Sequence, residues 1–168
     1  MKVAVTGASG HLGVAILQEL KHRGHDVRAL AHRDVAYFEN HAIEFVRGEV
    51  NDPEAMEKLL QGCDALIHSA ALISIDGDQQ GKVQRINVEG VRNVMQTALK
   101  MNIGRVVHVS SIHAYNPLPK DKELNEARDF VDDKAFAYDR SKRDGQKIVM
   151  EYVAKGLPAL VVNPTSVT

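Results

Sequence analysis

Apolar residues come along this chain in two rhythms. Short dense runs at 3–5, 27–31, 43–47, 65–68, 105–109 and 157–163 read as six strands. Between them the apolar positions take helical spacing. Leu12, Ala15, Ile16 and Leu20 mark a first helix closed by Gly24. Asp52-Pro53 supplies an N-cap and a proline for a short helix reaching Leu59 and Leu60. Val83, Ile86, Val91, Val94 and Ala98 share one face of a helix over 81–101, stopped by Asn102-Ile103-Gly104. A last helix covers 138–155 and ends at Gly156, while 72–80 and 116–134 read as loops. The second loop carries Pro117, Pro119 and several charges, the composition of a solvated connector whose length also suits a substrate rim.

The fourth and fifth strands are too apolar to alternate, so both of their faces are expected to be covered, as in a parallel sheet. Strand and helix alternate six times. The fold class expected is therefore α/β, a doubly wound parallel sheet in strand order 3-2-1-4-5-6 with its ligand at the switch point above strands one and four.

Composition narrows the setting. A chain of 168 residues with 44% apolar and 26% charged residues forms one domain over 1–168 with a real core. A formal charge of −1 implies no basic surface for nucleic acid. Cys63 is the only cysteine, which excludes an internal disulfide and suits a small buried apolar residue in a reducing compartment. No apolar run approaches the 18 residues of a membrane span, and no secretory leader precedes the first strand, so a cytoplasmic protein without metal or membrane partner is expected.

The candidate chemistry begins at Thr6-Gly7-Ala8-Ser9-Gly10-His11-Leu12-Gly13. A strand turning on glycines into a helix aims that helix's first N–H groups, those of His11, Leu12 and Gly13, at an anion. Gly7 would allow the tight turn, Gly10 the approach of a pyrophosphate, and Gly13 close packing of helix on strand. The spacing G-x-x-G-x-x-G differs by one residue from the common dinucleotide fingerprint, and an ordinary glycine turn would look similar. At the end of the second strand stands Ala31-His32-Arg33, with no carboxylate before Asp34. Arg33, assisted by His32 and His11, suits a 2′-phosphate and favours NADP over NAD; a solvated loop cation is the plainer reading.

A second cluster is Tyr138-Asp139-Arg140-Ser141-Lys142, where a phenol and an ammonium four residues apart share a helix face. Such a lysine is expected to lower the phenol's pKa toward a range useful for proton transfer. Ser111, ending the fifth strand, would hold a substrate oxygen, and the small Ala70 and Ala71 leave room for a ligand across the fourth strand's end. Asn87 lies in the first half of the long helix, where a satisfied packing asparagine is the usual case.

Glycine turn, Ser111 and Tyr138-x-x-x-Lys142 occur in the order and spacing of the short-chain dehydrogenase/reductase superfamily, with its Rossmann fold. His68-Ser69-Ala70-Ala71, Asn87-Val88-Glu89-Gly90, Val109-Ser110-Ser111 with Tyr115, and Asn163-Pro164-Thr165 resemble its extended branch, the epimerase/dehydratase and dihydroflavonol-reductase-like proteins. The resemblance implies Tyr138 as acid/base, Lys142 as its partner and a ligand of the nicotinamide ribose, Ser111 as the substrate-orienting hydroxyl, and Asn87 as support for a lysine-linked water. It further implies Val50 and Asp52 beside the adenine, Ala70 and Ala71 along the ribose and nicotinamide, and Pro164 with Thr165 by the carboxamide. The activity implied is NAD(P)-dependent hydride transfer to or from a small-molecule carbonyl or alcohol. A nucleotide-sugar epimerase or dehydratase is the rival, and a non-catalytic cofactor-binding sensor or structural protein a third reading. Extended members continue past the Asn-Pro-Thr strand into a half that supplies most of the substrate pocket, which 168 residues are expected to lack. Pairing as a homodimer through the helices flanking the fifth strand is the family's habit.

Overall fold

A computed structural model describes residues 1–32 and 35–167. Six strands, β1 (Lys2–Thr6), β2 (Asp26–Ala31), β3 (Glu44–Arg47), β4 (Ala65–His68), β5 (Arg105–Val109) and β6 (Ala159–Val162), form one sheet in the order β3-β2-β1-β4-β5-β6. Every neighbouring pair is parallel, as the dense apolar runs require.

Successive side chains on a strand point to opposite faces, and here both faces are apolar. Ala4, Leu66 and Val106 pack on one side with Met56 and Leu59 of α3 (Pro53–Leu60), Val94 and Met95 of α5 (Gly90–Lys100) and Val149 of α6 (Ala137–Ala154). Val3, Val5 and Ala29 pack on the other with Leu17 of α1 (His11–His22) and Phe38 of α2 (Ala36–Asn40). Two details differ from the pattern reading. Leu17, rather than Ala15, is the inward residue of α1, and α2 is a five-residue helix held by the wholly buried Phe38.

The helix expected over 81–101 is interrupted. It consists of α4 (Lys82–Gln84), a π turn over Arg85–Glu89, and α5. A π turn adds a residue to the helical repeat and re-aims the side chains on either side of it, and such turns recur at functional sites. Asn87 sits in this one.

The segment 116–134 is exposed along most of its length, as its composition leads one to expect, and is also tied down as a strap. Tyr115 and Phe130 form an antiparallel bridge with rings stacked at 5.2 Å. Inside the strap, Arg128 donates to the carbonyls of Leu118, Pro119, Lys122 and Glu123. From α6, Arg143 donates to the Val131 carbonyl at 3.0 Å and the Asp133 carboxylate at 2.9 Å. Most of these bonds run from side chain to backbone and leave no periodic signal, so the composition records the exposure of the segment but not its anchoring.

Candidate active site

The glycine turn is built as a cradle. Gly7 has φ +69°, and a Cβ there would stand 2.6 Å from the Ala70 nitrogen, so the turn needs glycine both for its dihedral and for its packing on the segment leaving β4. A Cβ on Gly13 would fall 2.1 Å from the Gly7 oxygen, so this glycine lets α1 close on the turn itself. Gly10 differs: its Cβ would meet only the Gly7 oxygen, at 3.2 Å. The space above it is open, and Gly10 as N-cap offers no side chain to the N–H groups that follow. An uncapped helix start with open space before it fits an anionic group such as a dinucleotide pyrophosphate. His11 and Leu12 open the helix, His11 exposed and Leu12 half-buried.

At the end of β2, His32 Nε2 lies 2.9 Å from the Glu49 carboxylate. The second strand and its exit carry no carboxylate of their own before Asp34. The fold brings one in from the loop after β3, and His32 is committed to it. A carboxylate at this corner suits ribose hydroxyls and opposes a 2′-phosphate. Arg33 and Asp34 lie outside the described residues.

Farther along the same loop Asp52 caps α3, accepting from the N–H groups of Glu54 at 3.0 Å and Ala55 at 3.2 Å, with Pro53 first in the helix as expected. Val50 is buried, and its carbonyl accepts from Asn93 Nδ2 at 2.7 Å. Past the end of β4, the Ser69 hydroxyl donates to the Thr6 carbonyl at 2.8 Å, tying the two central strands together beside Ala70 and Ala71. Asn87 spans the gap from the π turn: Oδ1 accepts from the Leu72 N–H at 2.7 Å, and Nδ2 donates to the Leu72 carbonyl and Ser141 Oγ, each at 2.9 Å. Its amide is therefore fully engaged in joining the β4 exit to α6.

Ser111, Tyr138 and Lys142 converge where β5 ends against the start of α6. Ser111 Oγ accepts from the His113 N–H at 3.2 Å, and its hydroxyl faces the Tyr138 phenol. Burial raises the Tyr138 phenol above its ordinary range; the neighbouring Ser111 hydroxyl pulls it back and the Asp139 carboxylate raises it further. The expected lowering by Lys142 does not operate in this arrangement. The ammonium donates to the Val109 carbonyl at 3.1 Å and stands 5.9 Å from the centre of the Tyr138 ring. Burial brings Lys142 itself down to about 8. Pro164 closes the group, its carbonyl accepting from the Ile112 N–H at 3.3 Å just after Ser111, and Thr165 beyond it is exposed.

Several contributors lay outside the sequence reading. His108 was passed over inside an apolar strand and His68 counted only as part of a motif, yet their buried rings stack at 5.2 Å beside Lys142. Ser141 anchors Asn87. His113 pairs with Asp139 at 3.1 Å and lies edge-on to Tyr138. Proximity in the fold, rather than spacing in the chain, identifies all four. Cys63 is half-buried, its thiol raised by burial and donating to the Leu59 carbonyl at 3.3 Å, away from the site. Among the described residues no helix is long and apolar enough to cross a membrane.

The chain is 36% identical over 172 residues to sterol demethylase protein B of Methylococcus capsulatus, covering 99% of this chain and 52% of that one. It is 30% identical over 178 residues to the 4-hydroxy-2-methyl-3-oxo-4-farnesyl-3,4-dihydroquinoline-1-oxide ketoreductase of Stigmatella aurantiaca, covering 98% of this chain and 49% of the relative. The chain thus spans about half the length of the curated relatives it matches. Its fold is similar to that of Thermus thermophilus UDP-glucose 4-epimerase, solved in complex with NAD, with a TM-score of 0.85 and 23% identity over 97% of this chain and 54% of that one. Residues 3–168 match the family described as NAD dependent epimerase/dehydratase, and with an uncapped glycine cradle and the Ser111, Tyr138 and Lys142 cluster in place, the chain belongs to that family.

Proposed function

We propose that this chain is the cofactor-binding part of an NAD(P)-dependent oxidoreductase that interconverts a ketone and an alcohol on a small molecule. The observation that carries the reading is the convergence of Ser111, Tyr138 and Lys142 at the end of β5, on the side of the sheet reached from the glycine cradle. Gly10, with the N–H groups of His11, Leu12 and Gly13, would hold the pyrophosphate. Val50 and Asp52 would flank the adenine, Ala70 and Ala71 the ribose and nicotinamide side, and Pro164 with Thr165 the carboxamide. When bound, the nicotinamide supplies the hydride donor or acceptor.

The chain's own residues then do the following. Ser111 would turn its hydroxyl proton from the Tyr138 phenol to the substrate oxygen and hold the carbonyl carbon at contact distance. Tyr138 passes a proton to that oxygen in reduction and removes it in oxidation. A phenol above its ordinary range is a weak acid whose basic phenolate is scarce near neutrality, so catalysis there needs a further positive influence, and the half-buried position beside Lys142 is where one acts most strongly. Lys142 would bind the nicotinamide ribose, and its charge would favour the phenolate once the ammonium turned from the Val109 carbonyl toward the phenol oxygen. Asn87 holds the β4 exit and α6 at fixed spacing and so supports Lys142 by way of Ser141.

A ketoreductase at 30% identity favours net reduction over epimerisation. Between the cofactors, Arg33 favours NADP and the Glu49 carboxylate favours NAD. Tyr138→Phe tests the reading. In a full-length protein that carries the substrate-binding half as well, turnover of NAD(P)H against a panel of ketones should fall by at least roughly a hundredfold while cofactor affinity stays within about twofold. Undiminished turnover would overturn the proton-transfer role.

A further inference from the structure

Two segments at the carboxyl edge of the sheet turn large apolar side chains to water. In the exit from β4, Ile73 is 72% exposed and Ile75 90%, while Ser74 between them is only 7% exposed. The Ser74 hydroxyl donates to the Gly77 carbonyl at 2.7 Å and accepts from Gln79 Nε2 at 3.1 Å, so the loop folds on its own polar group and leaves both isoleucines outside. At the start of α6 the N-cap is Phe136, 79% exposed and without a side-chain bond to the helix. Ser, Thr, Asp or Asn at that place would cap the helix, whereas this ring neither caps it nor packs in the core. Scattered apolar residues are ordinary on a surface, but these gather at one site.

Hydrogen bonds tie the two segments together beside the reacting groups. Asn87 holds both the N–H and the carbonyl of Leu72, the residue before Ile73, and donates to Ser141 Oγ. The Ser141 hydroxyl in turn donates to the Tyr138 carbonyl at 2.7 Å, and Phe136 stands two residues before Tyr138. The isoleucines and the phenyl ring therefore flank the first turn of α6, at the strand ends where a doubly wound sheet takes its ligand.

The charge at this edge is negative. Along 72–80 and 132–140 stand Asp76, Asp78, Asp132, Asp133 and Asp139 against Lys134 and Arg140. Arg140 is spent on the carbonyls of Asp133 and Ala135, and the Asp133 carboxylate on Arg143. A diphosphate brought here would meet like charge, and the one guanidinium of these two segments is already bonded.

We propose that Ile73, Ile75 and Phe136 receive the apolar body of the substrate, so that the ketone or alcohol turned over at Tyr138 is carried on a hydrocarbon skeleton without a phosphate group. The inference rests on the oxidoreductase reading and names its substrate class, against the sugar nucleotide of the rival reading. Each methylene laid on the rim leaves water, so affinity rises steeply with the length of the hydrocarbon.

The test is NMR of the whole chain with 15N-labelled backbone and 13C-labelled Ile, Leu and Met methyl groups. The chain is titrated first with NADP+ and NAD+, and then, saturated with the tighter of the two, with 2-butanone, 2-hexanone and 2-octanone in turn. Oxidised cofactor and ketone cannot exchange a hydride, so binding alone is read. The Ile73 and Ile75 methyls and the Ser111 and Tyr138 amides should shift with one midpoint for each ketone, and that midpoint should fall about threefold per added methylene. Ile75→Ser and Phe136→Ser, both on the surface, should each weaken 2-octanone binding at least about fivefold. An affinity indifferent to chain length overturns the proposal, as does tighter binding of UDP-glucose than of 2-octanone. Rim methyls that shift without Ser111 and Tyr138 also overturn it, since they would mark a packing face for other polypeptide. Equal shifts at Met150 and Leu160, exposed elsewhere, would mark mere adhesion and overturn it too. Failure of the oxidoreductase reading is seen separately, as absence of cofactor binding in the first titration, and takes the proposal with it.

Discussion

The glycines of the first turn have different jobs, and two substitutions separate them. In Gly13→Ala the new methyl would stand 2.1 Å from the Gly7 oxygen and 2.7 Å from Ala8 Cα, both backbone atoms that cannot rotate away. Overpacking of this kind costs about 3 kcal/mol at its upper range, and alanine's better helix propensity returns about 1, a net loss of about 2 kcal/mol. For a domain of this size that is a fall in Tm of about 4–8 °C. In Gly10→Val the backbone is extended, at φ −76° and ψ 169°, and the Cβ meets a single atom at 3.2 Å. Only the N-cap preference for glycine is lost, about 1 kcal/mol, or about 2–4 °C. The side chain does fill the approach to the helix start, so affinity for NAD(P)H should drop at least about tenfold. Thermal unfolding by circular dichroism and titration by nicotinamide fluorescence read the two quantities separately. A Gly10→Val chain that unfolds as early as Gly13→Ala, or that binds cofactor like the parent, would refute the division of labour.

Two further expectations concern charge. His68 and His108 have folded-state pKa values below the ordinary histidine range, His68 down to about 3, so below about 6.5 the unfolded chain binds more protons and stability is lost as pH falls. Each buried imidazole contributes a slope of about 1.4 kcal/mol per pH unit in that window, and urea unfolding at pH 7, 6 and 5 should show the slope reduced by that amount in His108→Leu; an identical slope would contradict the burial argument. Glu49→Gln removes the carboxylate that His32 holds at the end of β2 and should raise NADPH affinity relative to NADH roughly fivefold, from about 1 kcal/mol for a close solvated charge pair. An unchanged ratio would show that this corner does not face the ribose.

What could be read from the chain was what its local rules record. The strand order followed from dense apolar runs alternating with helical spacing, and the Asp52-Pro53 cap from residues adjacent in sequence. The cradle was legible because turn, helix start and close packing each demand glycine at a short fixed offset. Features made by long-range contact were not. Glu49 reaches His32 from another strand's loop, and the His68–His108 stack joins residues forty positions apart that a pattern of apolar strands conceals. The strap over 116–134 is held by Arg128 and Arg143 through backbone carbonyls, which carry no side-chain signature at all. The π turn depends on how α4 and α5 meet β4 and α6, and the apolar spacing alone predicted an uninterrupted helix.

The central claim is that the glycine cradle and the Ser111, Tyr138 and Lys142 cluster serve one bound nicotinamide cofactor. The most direct measurement is a 15N amide spectrum of the chain titrated with NADPH and, separately, with NADH. The account predicts that His11, Leu12 and Gly13 at the cradle, and Ser111, Tyr138 and Lys142 at the far end, shift together with a single saturation midpoint. Shifts confined to one of the two groups, or none with either cofactor, would contradict it.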